Sequence, residues 1–339
     1  MDNVNGKQLK DVRYSVLDLS PIIEGSTIPN SFENTLSLAR HAEKLGYYRY
    51  WMAEHHNMPF IGSSATSVLI GYVAGGTNDI RVGSGGIMLP NHAPLVIAEQ
   101  FGTLESLYPG RIDLGLGRAP GTDQRTAQAL RRNPEIDGHN FPQQLEDLRT
   151  YLDPSRSSTP RPVRAIPGQG LNIPVWLLGS SGFSAQLAGQ LGLPFAFASH
   201  FSPNNTLPAL DLYHRSFQPS DVLDEPYAMV CVNVVAAETD EEAEYLGTTL
   251  HQQFLNLIRG TEKPLQPPIE NLEDQLTLQE HAALEQQLGS SIFGSAKTVK
   301  RKLQEFLDDT QADEIMINTQ IYDHDKRLRS YEIVSQLFD

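Results

Sequence analysis

Three titratable side chains stand in a row at Glu54, His55 and His56, directly after a β-rich run from Tyr47 to Ala53. Neighbours in extended backbone point to opposite sides, so the two imidazoles would not grip one metal ion together. The helical His-Glu-x-x-His pattern of zinc enzymes is missing as well, and the sequence is read as holding no metal. Acid–base chemistry suits the group better, with one imidazole facing a site and the other packed or hydrogen-bonded. Two satisfied, half-buried histidines would leave the same pattern. A second group is Gly179-Ser180-Ser181-Gly182, between a strand-like and a helix-like stretch. Backbone N–H groups and hydroxyls at a helix start bind anions, although a tight turn with a serine cap looks alike. Arg118, in Gly115-Leu116-Gly117-Arg118, is a bidentate partner for the same anion or a surface arginine paired with Asp123. Together the two favour a phosphate-bearing ligand. Gly83-Ser84-Gly85-Gly86 permits close approach of a flat ligand or marks a bulge, and Met88 beyond it suits a planar ring.

These groups fall where strands end. Strands are expected at Tyr14–Leu19, Tyr47–Ala53, Ile80–Ser84, Arg111–Leu116, Val175–Leu178, Phe195–Ala198, Ala228–Ala236 and Glu314–Asn318. Helical spacing follows each one. In the first helix Phe32, Leu36, Ala39 and Ala42 form a stripe, Asn30 with Glu33 reads as a capping box, and Gly46 is the stop. Further helices are expected at Ala65–Ala74, Leu95–Leu107, Phe183–Leu191, Leu207–Phe217, Asp240–Ile258, from Ser295 onward, and at Lys326–Leu337. Residues 121–173 carry helical pieces at Gln124–Arg132 and Pro142–Leu152, and 260–292 is a second irregular insertion. Eight β/α units predict one (β/α)₈ TIM barrel domain over 1–339, with those two insertion segments; a doubly wound sheet is the alternative. In a barrel, chemistry sits at the C-terminal ends of the strands, where all these groups lie.

The chain has 339 residues, 26 basic and 41 acidic, for a net charge of −15. That balance speaks against nucleic acid or anionic membranes as partners. One cysteine, Cys231, excludes an intrachain disulfide and a cysteine metal cluster. Met1–Asp11 shows no signal-like apolar core, and no stretch nears the about 20 apolar residues of a membrane span. A soluble, cytoplasmic protein is expected. No nucleophile elbow, Walker loop or Gly-rich dinucleotide fingerprint is present. A phosphate-bearing organic cofactor is therefore the expected source of any chemistry.

As an ordered set, Trp51–His56, Val82–Pro90, Ala98–Phe101, Gly110–Arg118 and Val175–Ser181 resemble the bacterial luciferase-like, flavin-dependent monooxygenases, in their single-chain branch. The resemblance covers about residues 12–338, least well in the middle insertion. It implies a (β/α)₈ barrel with insertions and FMN reduced by a separate NAD(P)H:flavin reductase. It implies oxygenation of a small organic substrate by O2 through a flavin C4a-hydroperoxide. It implies that Arg118, Ser180, Ser181 and Gly182 hold the FMN phosphate. It also implies that Ser84, Gly85 and Gly86 lie beside the ring, with a non-prolyl cis peptide at Gly85–Gly86, and that Met88 lines the ring. His55 matches the catalytic histidine, His56 is its neighbour, and Glu54 an orienting carboxylate. A homodimer through helices flanking strands two and three is also implied. Two other readings stand beside it: an F420-dependent oxidoreductase, and a non-catalytic FMN-storage protein.

Overall fold

Parallel strands that are apolar on both sides need cover on both faces, and closing the sheet on itself supplies it. The computed structural model describes residues 6–130, 140–159 and 162–338. The barrel strands are β1 (Arg13–Asp18), β2 (Arg49–Met52), β3 (Arg81–Met88), β4 (Ile112–Gly117), β5 (Val175–Gly179), β6 (Phe195–Phe197), β7 (Ala228–Ala237) and β9 (Glu314–Asn318). All pair in parallel, β1 through β7 in order, then β7 with β9 and β9 with β1. The circle is closed, so this is the (β/α)₈ barrel and not an open doubly wound sheet.

Helices wrap the outside: α1 (Ile28–Lys44), α2 (Thr66–Gly75), α3 (Pro94–Leu107), α6 (Gly182–Leu191), α7 (Thr206–Ser216), α8 (Asp240–Ile258), α10 (Ala296–Thr310) and α11 (His324–Ser335). Strand alternation sorts the core. Tyr50, Met52, Val82 and Leu114 pack outward under the helices, while Leu17, Trp51, Trp176, Met229 and Met316 fill the inside. The β4–β5 connection carries α4 (Gln124–Leu130) and α5 (Phe141–Leu152). The helix expected at Gln124–Arg132 is thus seen to Leu130, and its last two residues lie outside the described residues.

The structure corrects three expectations. The first helix is capped by Thr27, whose hydroxyl accepts from the Asn30 N–H, and Asn30 lies in the first turn. Pro29, with its fixed φ, favours that earlier start. The 260–292 segment is not irregular throughout: it holds α9 (Leu278–Leu288) and opens into a ninth strand, β8 (Ile292–Ser295). β8 pairs with Val234–Ala237, the part of β7 that projects beyond the barrel. Ser295 stands at the start of α10, but its hydroxyl makes no capping bond; the Asp240 carboxylate instead accepts from the Ser295 N–H at 2.6 Å.

The N-terminal end of the barrel is closed by charge. Arg49 Nη1 meets Asp113 Oδ2 at 2.6 Å and its Nε meets Glu314 Oε1 at 3.1 Å, both carboxylates fully buried. Arg81 adds a second cation at 2.6 Å from Asp113. Trp51 Nε1 donates to Asp113 and the Tyr227 hydroxyl to Glu314. Above them Trp51 and Trp176 meet edge to face at 5.2 Å, with the Arg49 guanidinium 4.8 Å from the Trp176 ring.

Removing one partner of a buried charge network strands the others. Asp113→Ala should therefore lower stability by about 3–5 kcal/mol, read as a shifted urea midpoint. A loss within the scatter of surface substitutions would remove the floor network from the account of stability.

Candidate functional site

Because the floor is filled, open space lies at the opposite end. A chamber of about 400 Å³ sits at the C-terminal ends of the strands. Leu17, Trp51, Met229, Cys231 and Met316 form its base; Arg118, Ser180 and Ser181 one wall; His55 and His200 another. Leu250, Gln253, Phe254 and Leu257 from the back half of α8 reach it too, with Gln287 of α9.

Of the residues singled out in the sequence, the structure brings His55, Gly85, Met88, Arg118, Ser180 and Ser181 together on this chamber. Ser180 and Ser181 lie between the end of β5 and the start of α6, and Gly182 is the first residue of that helix. The Ser181 hydroxyl makes no capping bond. Arg118 stacks over the Phe183 ring at 4.2 Å. Asp123 does not hold it: that carboxylate accepts from Thr126 and from the Arg125 N–H, and no ion pair of Arg118 occurs among the described residues.

Glu54, His56, Ser84, Gly86 and Gly182 are not on the chamber wall. Ser84 is fully buried, and its hydroxyl donates to Gly115 O at 2.8 Å and accepts from Gly115 N at 3.0 Å, which ties β3 to β4. The Gly85–Gly86 peptide bond is cis. The glycines answer to packing: a Cβ on Gly83 would stand 2.8 Å from Trp51 Nε1, and one on Gly85 2.8 Å from Leu17 Cδ1.

Glu54 works behind the wall. It is buried, and its two oxygens receive His56 Nε2 at 2.9 Å, His92 Nε2 at 2.9 and 3.0 Å, Asn91 Nδ2 at 3.3 Å and the Met88 N–H at 3.0 Å. None of these is His55. Burial alone would raise the Glu54 pKa, but the bonds from His56 and His92 outweigh it and hold it at about 2. The carboxylate thus pins the end of β3 and the loop after it to the end of β2.

His55 is set differently. Its Nδ1 lies 3.0 Å from Gly121 O. A carbonyl only accepts, so Nδ1 carries the proton and Nε2 keeps its lone pair. Burial pushes this imidazole below the ordinary histidine range, against the pull of the Gly121 bond and of Glu54. The ring is neutral at pH 7.

The sequence gives no role to His92 or His200. His200 lines the chamber, its Nδ1 has no partner, and burial holds its pKa down to about 3. Gln253 was missed entirely. Its only signal is a polar residue amid Leu250, Phe254 and Leu257 on an amphipathic helix. Among the described residues no cluster of acidic, histidine or cysteine side chains could hold a metal ion. No described helix is long and apolar enough to cross a membrane.

Comparison with known proteins places this geometry in context. The family model described as luciferase-like monooxygenase matches residues 12–314. A Bacillus subtilis (strain 168) protein, named uncharacterized protein YvbT, is 60% identical over 335 residues, 99% of each chain. A protein of Escherichia coli (strain K12) named luciferase-like monooxygenase is 55% identical over 324 residues, 96% of each. The crystal structure of apo-MsnO8 superimposes with a TM-score of 0.86 at 35% identity, covering 96% of this chain and 98% of that one.

The Glu54 anchor has a pH signature. A carboxylate whose folded pKa lies at about 2, below its ordinary 4.5, stabilises fully above 4.5 and loses that contribution as pH falls towards 2. Glu54→Gln should cost about 3 kcal/mol at pH 7, and the gap to the parent should narrow as urea titrations move from pH 5 to pH 3. A gap constant with pH would show that the charge of Glu54 is not what holds the rim.

Proposed function

We propose that this chain, which belongs to the luciferase-like monooxygenase family, is an FMN-dependent monooxygenase acting with O2 on a small organic substrate in the chamber. The observation that carries this reading is the wall built by Arg118, Ser180 and Ser181, set at the start of α6 and opening on an apolar base. Those groups match a phosphate: a guanidinium with no carboxylate partner among the described residues, two hydroxyls, and N–H groups at a helix start. Gly85, which has no side chain, and Met88 offer a face for a flat ring on the same chamber. A bound reduced flavin would supply the two electrons that activation of O2 requires, delivered by a separate NAD(P)H-dependent reductase.

The chain's own residues do the rest. Arg118 and the serines anchor the phosphate and so orient the ring. Leu17, Leu19, Phe60, Ile61 and Met316 keep the base dry, which protects reactive oxygen chemistry from water. His55 takes and returns the proton at Nε2, since it starts neutral and Gly121 fixes its tautomer. Glu54 acts through the backbone and through His56 and His92 as a positioning residue.

Titration with FMN and with F420 tests the cofactor. FMN should bind, and Arg118→Ala should weaken it about 10- to 150-fold. His55→Ala should leave that titration unchanged. It should slow turnover with photoreduced FMN and oxygenated buffer by a factor on the order of 10². Binding of F420 with none of FMN would turn the reading to hydride transfer without oxygen. Unaltered FMN affinity in Arg118→Ala would remove the phosphate wall.

The same reading includes a homodimer across α2 and α3, whose outer faces expose Val68, Tyr72, Val96 and Leu107. Sedimentation should give about twice the 37.6 kDa chain mass, and Val68→Arg should halve it. A monomeric parent would end that part of the reading.

A further inference from the structure

We propose that Thr122 is a positioning residue: it holds the Gly121 carbonyl against His55 and so decides which nitrogen of that imidazole is free to take a proton in the chamber. The proton-accepting role of His55 rests on the proposed function; the placement of its ring proton does not.

The ring is set by one bond. Nδ1 meets Gly121 O at 3.0 Å, and no hydrogen bond of Nε2 occurs among the described residues. Which ring nitrogen carries the proton follows from the bond the other makes. With the carbonyl in place, Nδ1 is the donor and Nε2 keeps its lone pair. With the carbonyl turned away, Nε2 is free to carry the proton, and the lone pair is lost from it. Gly121 lies between β4 and α4, in neither helix nor strand, where backbone moves unless it is tied down. Its φ is +67°, and it has no side chain of its own to hold it. A Cβ there would stand 2.7 Å from Glu54 O, so the loop lies close against the rim.

The loop is tied residue by residue. Four successive residues of it meet the four that follow Ala53. Asn91 joins Pro120 to Glu54, donating from Nδ2 to Pro120 O at 2.9 Å and to Glu54 Oε1 at 3.3 Å. Gly121 O receives His55. Thr122 Oγ1 donates to His56 O at 2.7 Å. The Asn57 side chain bonds the Asp123 carboxylate. These links differ in what else they serve. Asn91 also feeds Glu54, and exposed Asp123 is shared with the Arg125 and Thr126 N–H groups. Thr122 is half-buried and directly follows Gly121. Its second contact, with Asp123 Oδ2 at 3.5 Å, is at the outer limit of a hydrogen bond. Removing its hydroxyl leaves Glu54 with all its donors and Asp123 with its turn, and takes away the tie next to the Gly121 carbonyl.

NMR of the full-length chain with ¹⁵N-labelled histidine tests this, because a protonated and a bare ring nitrogen differ widely in chemical shift. The His55 signals are identified by their absence in His55→Ala. At pH 7 the parent should show a protonated Nδ1 and a bare Nε2. Thr122→Val keeps the shape without the donor, and its thermal unfolding is compared with that of the parent; Thr122→Ala takes its place if the valine chain does not fold. Either should lower the ratio of Nδ1–H to Nε2–H about fivefold, seen as the two shifts moving towards each other. Thr122→Ser, which keeps the hydroxyl, should restore the parent shifts. A parent ring protonated on Nε2, a ratio unchanged without the hydroxyl, or a serine chain that behaves like the valine one each overturns the proposal. No flavin is needed for this readout, so the two readings fail separately. If FMN does not bind but the ring proton follows the Thr122 hydroxyl, the cofactor reading falls and this one stands. If FMN binds and the ring proton ignores that hydroxyl, the reverse holds.

Discussion

A guanidinium locked between two carboxylates inside the barrel is the constraint on which the remainder depends. Arg49, Asp113 and Glu314 come from three different strands, β2, β4 and β9. Each of the three is buried, and with Arg81 as a further partner of Asp113 each is tolerable only while its countercharges are in place. That requirement fixes the relative heights of strands on opposite sides of the barrel. It also spends the polar groups of the lower barrel on one another. Trp51 and Trp176 then rest on this floor, and free space remains at one end only.

At the open end the same logic recurs around a single carboxylate. Glu54 gathers donors from the β2 loop, from Met88 at the end of β3, and from Asn91 and His92 beyond it. The side chain next to it, His55, is thereby left to the chamber and to Gly121. Thus a row of three titratable residues divides into one that faces the chamber and two that hold the rim. Their order along the chain does not reveal which is which; the paired acceptors do.

Much of the fold was legible because parallel barrel strands are apolar on both sides and alternate with helices of regular stripe. β8 was not legible: four residues after Gly289-Ser290-Ser291, with Gly294 inside, read as loop, and only the projecting end of β7 gives them a partner. The Thr27 cap was hidden by Asn30, an equally good capping residue one turn later. Arg118, Ser180, Ser181 and His55, which share the chamber wall, could be singled out because glycines, hydroxyls and strand ends mark them locally. Ser84 was drawn to the ring by its place in the glycine run, yet its hydroxyl serves Gly115. The partners of Glu54 and of His55 depend on residues far apart in sequence, where no local spacing reports them.

The ten residues of β7 have a consequence for how such a protein can change. The barrel uses the first part of the strand, and the remainder carries β8, α8 and α9 as an annex above the mouth. The groups proposed to grip the cofactor come from the ends of β3 and β4 and from the β5–α6 turn, all before residue 183, whereas the annex is drawn wholly from residues after 233. Variation in the annex can redraw the upper wall of the chamber while the wall below keeps its form. On the proposed function, inheritance can thus treat choice of substrate and retention of cofactor as separate traits, altered by separate stretches of gene.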